Sequence, residues 1–534
     1  MPDTPTIATY RWSSDRPEDR FPVENPATGQ VITIVQGGAA AEVDAAVQAA
    51  HRAFTDDWRW RTPADRARLL LQGADVLEAH AGELTDLVCQ ENGKPVADAR
   101  LHDIGFLTGI FRFYGSLVDK LPSDFYDTGS VYASTVLEPV GVVGEIVPFN
   151  WPPIHAGGKI APALAVGDTV VIKPSEQAPL TVIRIVELLN TVLPPDVLHV
   201  VPGTGRVAGQ ALVANPLVRM VSFTGSTNAG AAVARTAAAN ITPALLELGG
   251  KNAFIVYDDA DVDRAARDAL EGGFYNKGEA CTAASRVLVH RDAHDAFVSK
   301  LAAGVTALRV GDGADPATHV GPVVTRAQQQ KVLGYIRAGE AEGAKIAAQA
   351  SLPADPALAG GFFVPPTLFT GVTPDMRIAT EEIFGPVVTV TVFDTEDEAV
   401  AIANQPEYGL LAALYTRDSE RAFRTARRLD SGMVLINNYF RGMLGTPFGG
   451  TKHSGYGREH AIATLQEFGY TKMIRFPSGT GTIPTWRGVT DAFDPPALSP
   501  AAAQDRDQHA AEPDGFLGRV RGADLASGGA SRPG

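Results

Sequence analysis

An α/β fold built on mostly parallel sheets is predicted by three features of this 534-residue chain. Short, nearly continuous apolar runs alternate with helix-length segments, the pattern of parallel strands buried on both faces. The alternation runs from about residue 140 and restarts after residue 252, which predicts two sheets. The chain is also too long for one ordinary hydrophobic core, which predicts two or three domains.

Residues 41–54 (AEVDAAVQAAHRAF) and 63–90 repeat apolar residues at helical spacing, and each predicts one helix. Pro63 and Asp65 open the second, and Gly93-Lys94-Pro95 closes it. Cys89 lies on that helix beside Val88, where a free cysteine packs as a small hydrophobe. The strand VGVVGEIVPF, the helix PPIHAGGKIAPALAVG and the strand TVVIKPSE come next. Then follow LTVIRIVELLNTVL (helix), VLHVVPG (strand), GQALVAN (short helix), VRMVSFTGS (strand), NAGAAVARTAAA (helix) and PALLELGG (strand). The second set opens with the strand NAFIVY. A helix with Asp258–Asp261 as cap candidates leads to Cys281 in GEACTA, and the strand RVLVH follows. The set runs to about residue 450. The Ala-, Pro-, Gly- and Asp-rich end of the chain buries too little apolar surface to offset chain entropy and is expected to be a disordered tail.

Composition removes several classes of function. A net charge of −15 argues against nucleic-acid binding, which needs clustered Lys and Arg. Two cysteines make no disulfide framework, and no His joins them at zinc spacing, so no metal is expected. Neither a signal-peptide core nor a membrane-spanning apolar run is present, which predicts a cytoplasmic location and no membrane partner.

Several motifs carry chemistry. Cys281 stands among small and polar neighbours, as a presented thiol does. GTGRVAG (203–209) has the wrong last spacing for a dinucleotide fingerprint and reads equally as a packing turn. FTGSTNAG (223–230) follows a strand and opens a helix. Gly225 allows close backbone approach and Ser226 offers donors where a phosphate is favoured, or simply caps the helix. Lys173 and Glu176 in VIKPSEQAP form a strand-end pair suited to ribose hydroxyls, or a surface charge pair. Glu247 in LLELGGKN is a glutamate in an apolar strand end, either a salt-bridge partner or a base with a burial-raised pKa. Asn150 in VPFNWPPIH is a turn residue, or an amide held to donate to an oxyanion.

PFNWP, KPSE, FTGSTNAG, ELGGKN, GEACTAASR, EEIFGP (381–386) and PFGGTKHSGYGRE (447–459) together resemble the aldehyde dehydrogenase superfamily, from about residue 22 to about 478. The 34-residue step from Glu247 to Cys281 matches as well. The resemblance implies a Rossmann-like NAD-binding domain (1–120 and 140–250), an α/β catalytic domain (251–453) and a small β oligomerisation subdomain (121–139 and 454–478). Residues 487–534 form the expected tail. It also implies a homodimer or homotetramer acting on a small-molecule aldehyde. Cys281 would attack the aldehyde, with Asn150 and the Cys281 N–H holding the oxyanion. Hydride loss would leave a thioester, which water activated by Glu247 hydrolyses. Lys173 and Glu176 would hold the adenosine ribose, and Gly225 and Ser226 the pyrophosphate. The Leu248 carbonyl would meet the nicotinamide amide, and Glu382 and Phe384 would place the nicotinamide ribose and ring. Glu176 favours NAD over NADP. The thiolate is the nucleophile, so the thiol is expected to have a depressed pKa, caused by the cationic nicotinamide ring and local backbone N–H groups.

This sequence departs from the pattern at Glu279, where Gln is common, and at Phe149, where Trp is frequent. Glu279 would either raise the Cys281 pKa or point into solvent. Glu247 favours hydrolysis over acyl transfer to coenzyme A. Gly158 and Ala280 are expected to leave room in the pocket. Phe149, His155, Tyr275, Thr282, Phe440, Arg441 and Phe448 complete the candidates, which suggests an aromatic or medium-chain aldehyde. Two alternatives are a semialdehyde whose distal carboxylate meets Arg441, and a cofactor-independent cysteine hydrolase or acyltransferase. Arg441 reads equally as a surface or interface residue.

Overall fold

The computed structural model describes residues 19–493. Two compact units are present: one takes the described residues to Asp124 with Thr135–Met473, the other Phe125–Ser134 with the described residues from Ile474. The first carries both large sheets. One has the order Gly455–Tyr456, Ala244–Glu247, Val218–Thr224, Val142–Ile146, Thr169–Lys173, Leu198–Val200. Its pairs are parallel except at the Gly455–Tyr456 edge. The chain proceeds outward from Val142–Ile146 in one direction, then returns to its other side at Val218–Thr224. That reversal makes a topological switch point, where α/β sheets bind ligands beyond the strands' carboxyl ends.

The other sheet has seven strands, in the order Lys345–Gln349, Thr367–Thr370, Val387–Phe393, Arg286–His290, Ala253–Val256, Leu411–Tyr415, Met433–Ile436. Lys345–Gln349 pairs antiparallel with Thr367–Thr370, and the remaining pairs are parallel. A three-stranded sheet has the order Gly469–Pro477, Val131–Pro139, Phe125–Asp127.

Local signals place the helices that serve the site. The Thr62 hydroxyl accepts from the Asp65 N–H at the start of Pro63–Ala79, Ser226 caps Thr227–Ala238, and Asp261 caps Val262–Phe274. Pro152 occupies the first turn of Pro152–Val166, and left-handed Gly167 ends it. Nearly every residue of that helix is buried, so its one charged side chain, Lys159, must find partners inside the protein.

Three expectations change. The helix over 63–90 is two helices, Pro63–Ala79 and Ala81–Asn92, broken at His80, which leaves helical geometry and turns its ring Nδ1 onto the Val76 carbonyl at 2.9 Å. Apolar periodicity continues through a break of this kind, so pattern alone cannot see it. Cys89 packs in the core as expected. Residues 455–456, assigned to the small subdomain, instead extend the six-stranded sheet, pairing with Glu247 and Leu246. Gly455 has φ +105°, a backbone that glycine adopts without strain. Residues 487–493 of the expected tail form a helix, Arg487–Phe493, and 494–534 lie outside the described residues, as does 1–18 of the first domain.

Candidate active site

The nucleophile candidate is presented by a sharp reversal at the end of Val262–Phe274. Asn276, Lys277 and Gly278 are all left-handed, with φ of 51°, 62° and 67°. Two of these are not glycine, and each costs about 1–2 kcal/mol relative to helical backbone, so side chains must hold the turn. The Asn276 amide donates to the carbonyls of Asn150 (3.0 Å) and Glu279 (2.9 Å). Lys277 Nζ donates to the Asn92 carbonyl (2.8 Å) and to its Oδ1 (2.7 Å). Beyond the turn, Asn252 Nδ2 grips the carbonyls of Cys281 and Ala283, both at 2.8 Å, while its Oδ1 accepts the Leu411 N–H. Asn252, the last residue of ELGGKN, thus ties Cys281 to the seven-stranded sheet. Its position after two glycines was the only sequence sign of that role.

Cys281 is half-buried, and its thiol is pushed up by desolvation, then by the Glu247 and Glu382 carboxylates. The N–H groups of Thr282 and Cys281 act in the opposite direction. Two acidic neighbours and desolvation thus oppose the thiolate, and the positive charge expected to favour it would come from the nicotinamide ring. The same electrostatics bring Glu247, Glu382 and Cys281 to one place.

Asn150 is buried, and its Nδ2 donates to the Glu279 carbonyl at 3.1 Å, next but one to Cys281. An amide nitrogen has two hydrogens, so one remains for a ligand oxygen. Its Oδ1 is buried with no hydrogen-bond partner among the described residues. Its carbonyl accepts from Asn276 and from Lys94 Nζ at 3.4 Å.

Glu247 ends its strand only 2% exposed, and neither carboxyl oxygen has a hydrogen-bond partner among the described residues. The salt-bridge alternative therefore fails. Burial, then Glu459, raises its pKa well above the ordinary range, and Lys159 and Arg458 only partly oppose this. Lys159 Nζ spans Glu459 Oε1 (2.6 Å) and Ser222 Oγ (2.9 Å). Glu145, register neighbour of Ser222, is likewise fully buried with both oxygens unpartnered, and desolvation raises its pKa strongly. Sequence reasoning missed Lys159, Glu459 and Glu145. Lys159 and Glu459 are 300 positions apart, and only an unpaired lysine in an apolar helix hinted at them.

The cofactor candidates gather at the carboxyl edge of the six-stranded sheet. Lys173 Nζ donates to the carbonyls of Pro174 (2.6 Å) and Gly203 (2.8 Å), and lies 3.7 Å from Glu176. Glu176 Oε1 accepts the Gly205 N–H at 2.6 Å, so GTGRVAG packs against the Lys173–Glu176 pair. Ser226 Oγ accepts the Ala229 N–H at 3.3 Å and opens a twelve-residue helix. Gly225 meets another need: a Cβ there would stand 2.6 Å from the Phe223 ring. Leu248 is buried, with its N–H on the Ser454 carbonyl. Glu382 Oε1 accepts the Gly250 N–H at 2.9 Å. Phe384 is left-handed (φ 59°) and sits edge-on to Phe149 at 5.8 Å. A helix N-terminus at a switch point, with the Glu176 carboxylate beyond the end of Thr169–Lys173, two strands along, is a donor and acceptor set that fits a dinucleotide.

On the other side of Cys281 stand aromatic groups. Tyr275 stacks on Trp151 at 6.3 Å, and the Tyr439 hydroxyl donates to the Thr282 carbonyl at 2.8 Å. The Arg441 guanidinium lies over both tyrosine rings, 5.0 and 5.4 Å from their centroids. It is 11% exposed, so it is not a surface residue of this chain, and its Nη1 is buried without a hydrogen-bond partner. Its ion pair with exposed Glu271 is long, at 3.6 Å. Phe440, another pocket candidate, is 61% exposed. Gly158 does not leave room: a Cβ there would meet His460 Cε1 at 2.9 Å, so the imidazole occupies that space. Glu279 does not point into solvent. It is fully buried, 3.1 Å from Lys277 Nζ.

The profile of the aldehyde dehydrogenase family matches residues 12–474. Over 487 residues the chain is 58% identical to aldehyde dehydrogenase citD of Monascus ruber, covering 91% of this chain and 97% of that protein. Among solved structures it is similar to betaine aldehyde dehydrogenase of Staphylococcus aureus in complex with NAD+, with TM-score 0.84 and 36% identity over 89% of this chain and 94% of that one. It is also similar to PnpE of Pseudomonas sp. WBC-3, with TM-score 0.85 and 39% identity over 88% and 96% of the two chains.

Proposed function

The chain belongs to the aldehyde dehydrogenase family, and on that premise we propose that Cys281, Asn150 and Glu247 carry out NAD-dependent oxidation of an aldehyde to its carboxylic acid. The observation that carries the assignment is the hydrogen bond from the Asn150 amide to the loop that presents Cys281. It ties the oxyanion donor to the nucleophile.

Bound NAD supplies a hydride acceptor and a positive charge near the thiol. The Cys281 sulfur releases its proton to solvent and forms a bond to the aldehyde carbon, whose C=O π electrons move onto oxygen. The second Asn150 N–H and the Cys281 N–H receive the oxyanion. Departure of hydride from that carbon leaves a thioester on Cys281. Glu247 then takes a proton from water as the new C–O bond forms and the C–S bond breaks, returning the thiol and releasing the acid. Because burial and Glu459 raise the Glu247 pKa, the group is a stronger base than an exposed carboxylate once it is ionised. Lys173 and Glu176 would bind the adenosine ribose, Gly225 and Ser226 the pyrophosphate, and Leu248, Glu382 and Phe384 the nicotinamide end. Family membership sets aside the cofactor-independent hydrolase.

The rings of Trp151, Tyr275 and Tyr439 favour an aromatic or extended apolar aldehyde. A second reading rests on Arg441, whose buried, unpartnered Nη1 fits an acidic oxygen on the substrate, as in a semialdehyde. A panel of benzaldehydes, alkanals and semialdehydes followed by NADH absorbance separates the two. Exposed Phe125, Tyr470, Ile474 and Phe476 in the strands of the three-stranded sheet support a homodimer or homotetramer. No helix among the described residues is long and apolar enough to cross a membrane. With its acidic charge and free cysteines, the protein is assigned to the cytoplasm.

A further inference from the structure

We propose that the buried Lys277–Glu279 ion pair is a positioning device that aims the Asn150 amide at the carbon bound by Cys281. The inference rests on the functional reading above. Both side chains are buried beneath the nucleophile turn, with Nζ and Oε2 3.1 Å apart. Glu279 Oε2 is held by the ion pair alone, with no hydrogen-bond partner among the described residues, while the other polar atoms of the pair are hydrogen-bonded. Glu279 Oε1 accepts the Val324 N–H at 3.1 Å. Lys277 Nζ donates to the Asn92 carbonyl and to its Oδ1. Asn92 Nδ2 in turn donates to the Phe149 carbonyl at 2.8 Å, one residue before Asn150.

The pair therefore joins the end of helix Ala81–Asn92, the loop carrying Asn150 and the turn carrying Cys281. Its effect passes through one peptide group. The Glu279 carbonyl accepts both the Asn150 and the Asn276 amides, so the anchored Glu279 side chain fixes the carbonyl that fixes the oxyanion donor. Lys277 is also one of the two non-glycine left-handed residues of the turn, and the ion pair helps to hold it there. A second buried pair, Lys94–Asp103 at 2.7 Å, supports the same loop through the Asn150 carbonyl. The pair reaches the donor through the hydrogen bonds of the turn and the loop.

Removing one partner leaves the other charge buried and the turn free to relax. A displacement of about 1 Å at a reacting centre costs about a hundredfold in rate. The test uses Lys277→Met, Glu279→Gln and the double variant, each in the full chain, with single-turnover NADH formation and the KM for NAD as readouts. Each single variant is expected to lose about tenfold to a hundredfold in the rate of NADH formation, with the KM for NAD changed less than about threefold. The double variant has no lone buried charge, and the Gln carbonyl can still accept the Val324 N–H. Met leaves the Asn92 oxygens without their donor, so the double loss is expected to be clearly smaller than the sum of the two single losses, without full recovery. In an Asn150→Ala background, the single changes should cost little more, because their target is gone. Single variants with unchanged rates, an additive double variant, or the full loss repeated without Asn150 would each overturn the proposal. Failure of the unsubstituted enzyme to form NADH from any aldehyde would instead overturn the functional reading.

Discussion

Replacing Asn150 with Ala tests the oxyanion assignment, because the structure predicts a large kinetic effect and a small structural one. Among the described residues the side chain makes one hydrogen bond, to the Glu279 carbonyl, and that carbonyl keeps its bond to Asn276 when Asn150 is truncated. The Oδ1 removed with it is already unpartnered. Loss of one neutral hydrogen bond with no new buried polar atom costs about 1 kcal/mol of stability. Loss of an oxyanion donor costs about 2.7–4 kcal/mol in the transition state, or about a hundredfold to a thousandfold in rate. Single-turnover NADH formation at saturating NAD and aldehyde reads the second effect, and a denaturant melt of the same preparation reads the first. A rate loss below about tenfold, or a stability loss large enough to explain the rate, would refute the reasoning.

Other expectations follow from the electrostatics. Glu247 has a raised pKa, so its carboxyl keeps its proton above the usual range near 4.5, and steady-state thioester hydrolysis should rise as pH increases. A rate falling from pH 6 to pH 9 would contradict its role as the base. Glu145 is also raised, which adds stability relative to the unfolded chain only at low pH and removes it as pH climbs through the folded-state value. Glu145→Gln should therefore gain more in thermal midpoint at pH 8 than at pH 5, and an equal shift at both would show that the carboxyl is not ionising against burial. Glu176→Gln removes a charge that would face a 2′-phosphate, worth about 1–4 kcal/mol at about 4 Å, so affinity for NADP should improve roughly fivefold or more. Unchanged NADP binding, measured by fluorescence titration, would place Glu176 away from the ribose.

Much of this site could be read from residues whose local context was at odds with their type. Cys281 on a turn and Glu247 in an apolar strand stood out without reference to the rest of the chain, whereas Asn150 read alone as a turn residue until the motifs were taken together. Strand and helix order followed from apolar spacing, and Ser226 and Asp261 cap the helices their positions suggested. What was not legible depended on partners distant in sequence. Glu279 could not be understood before Lys277 and Val324 were brought around it. The His460 ring filling the space above Gly158 comes from a segment 302 residues later, counting from 158 to 460. The raised Cys281 thiol depends on Glu247 and Glu382 converging on it, which no local pattern encodes. Likewise, the break at His80 lies within an unbroken apolar period.

The central claim is that Cys281 carries the acyl group that Glu247 helps to hydrolyse. The most direct measurement is intact mass, followed by peptide mapping, of the Glu247→Gln enzyme quenched in acid after mixing with NAD and an aldehyde that the parent enzyme oxidises. The mechanism predicts one acyl group per chain on the peptide containing Cys281, formed with one equivalent of NADH. One equivalent of NADH with no adduct, or an adduct on Cys89, would contradict it.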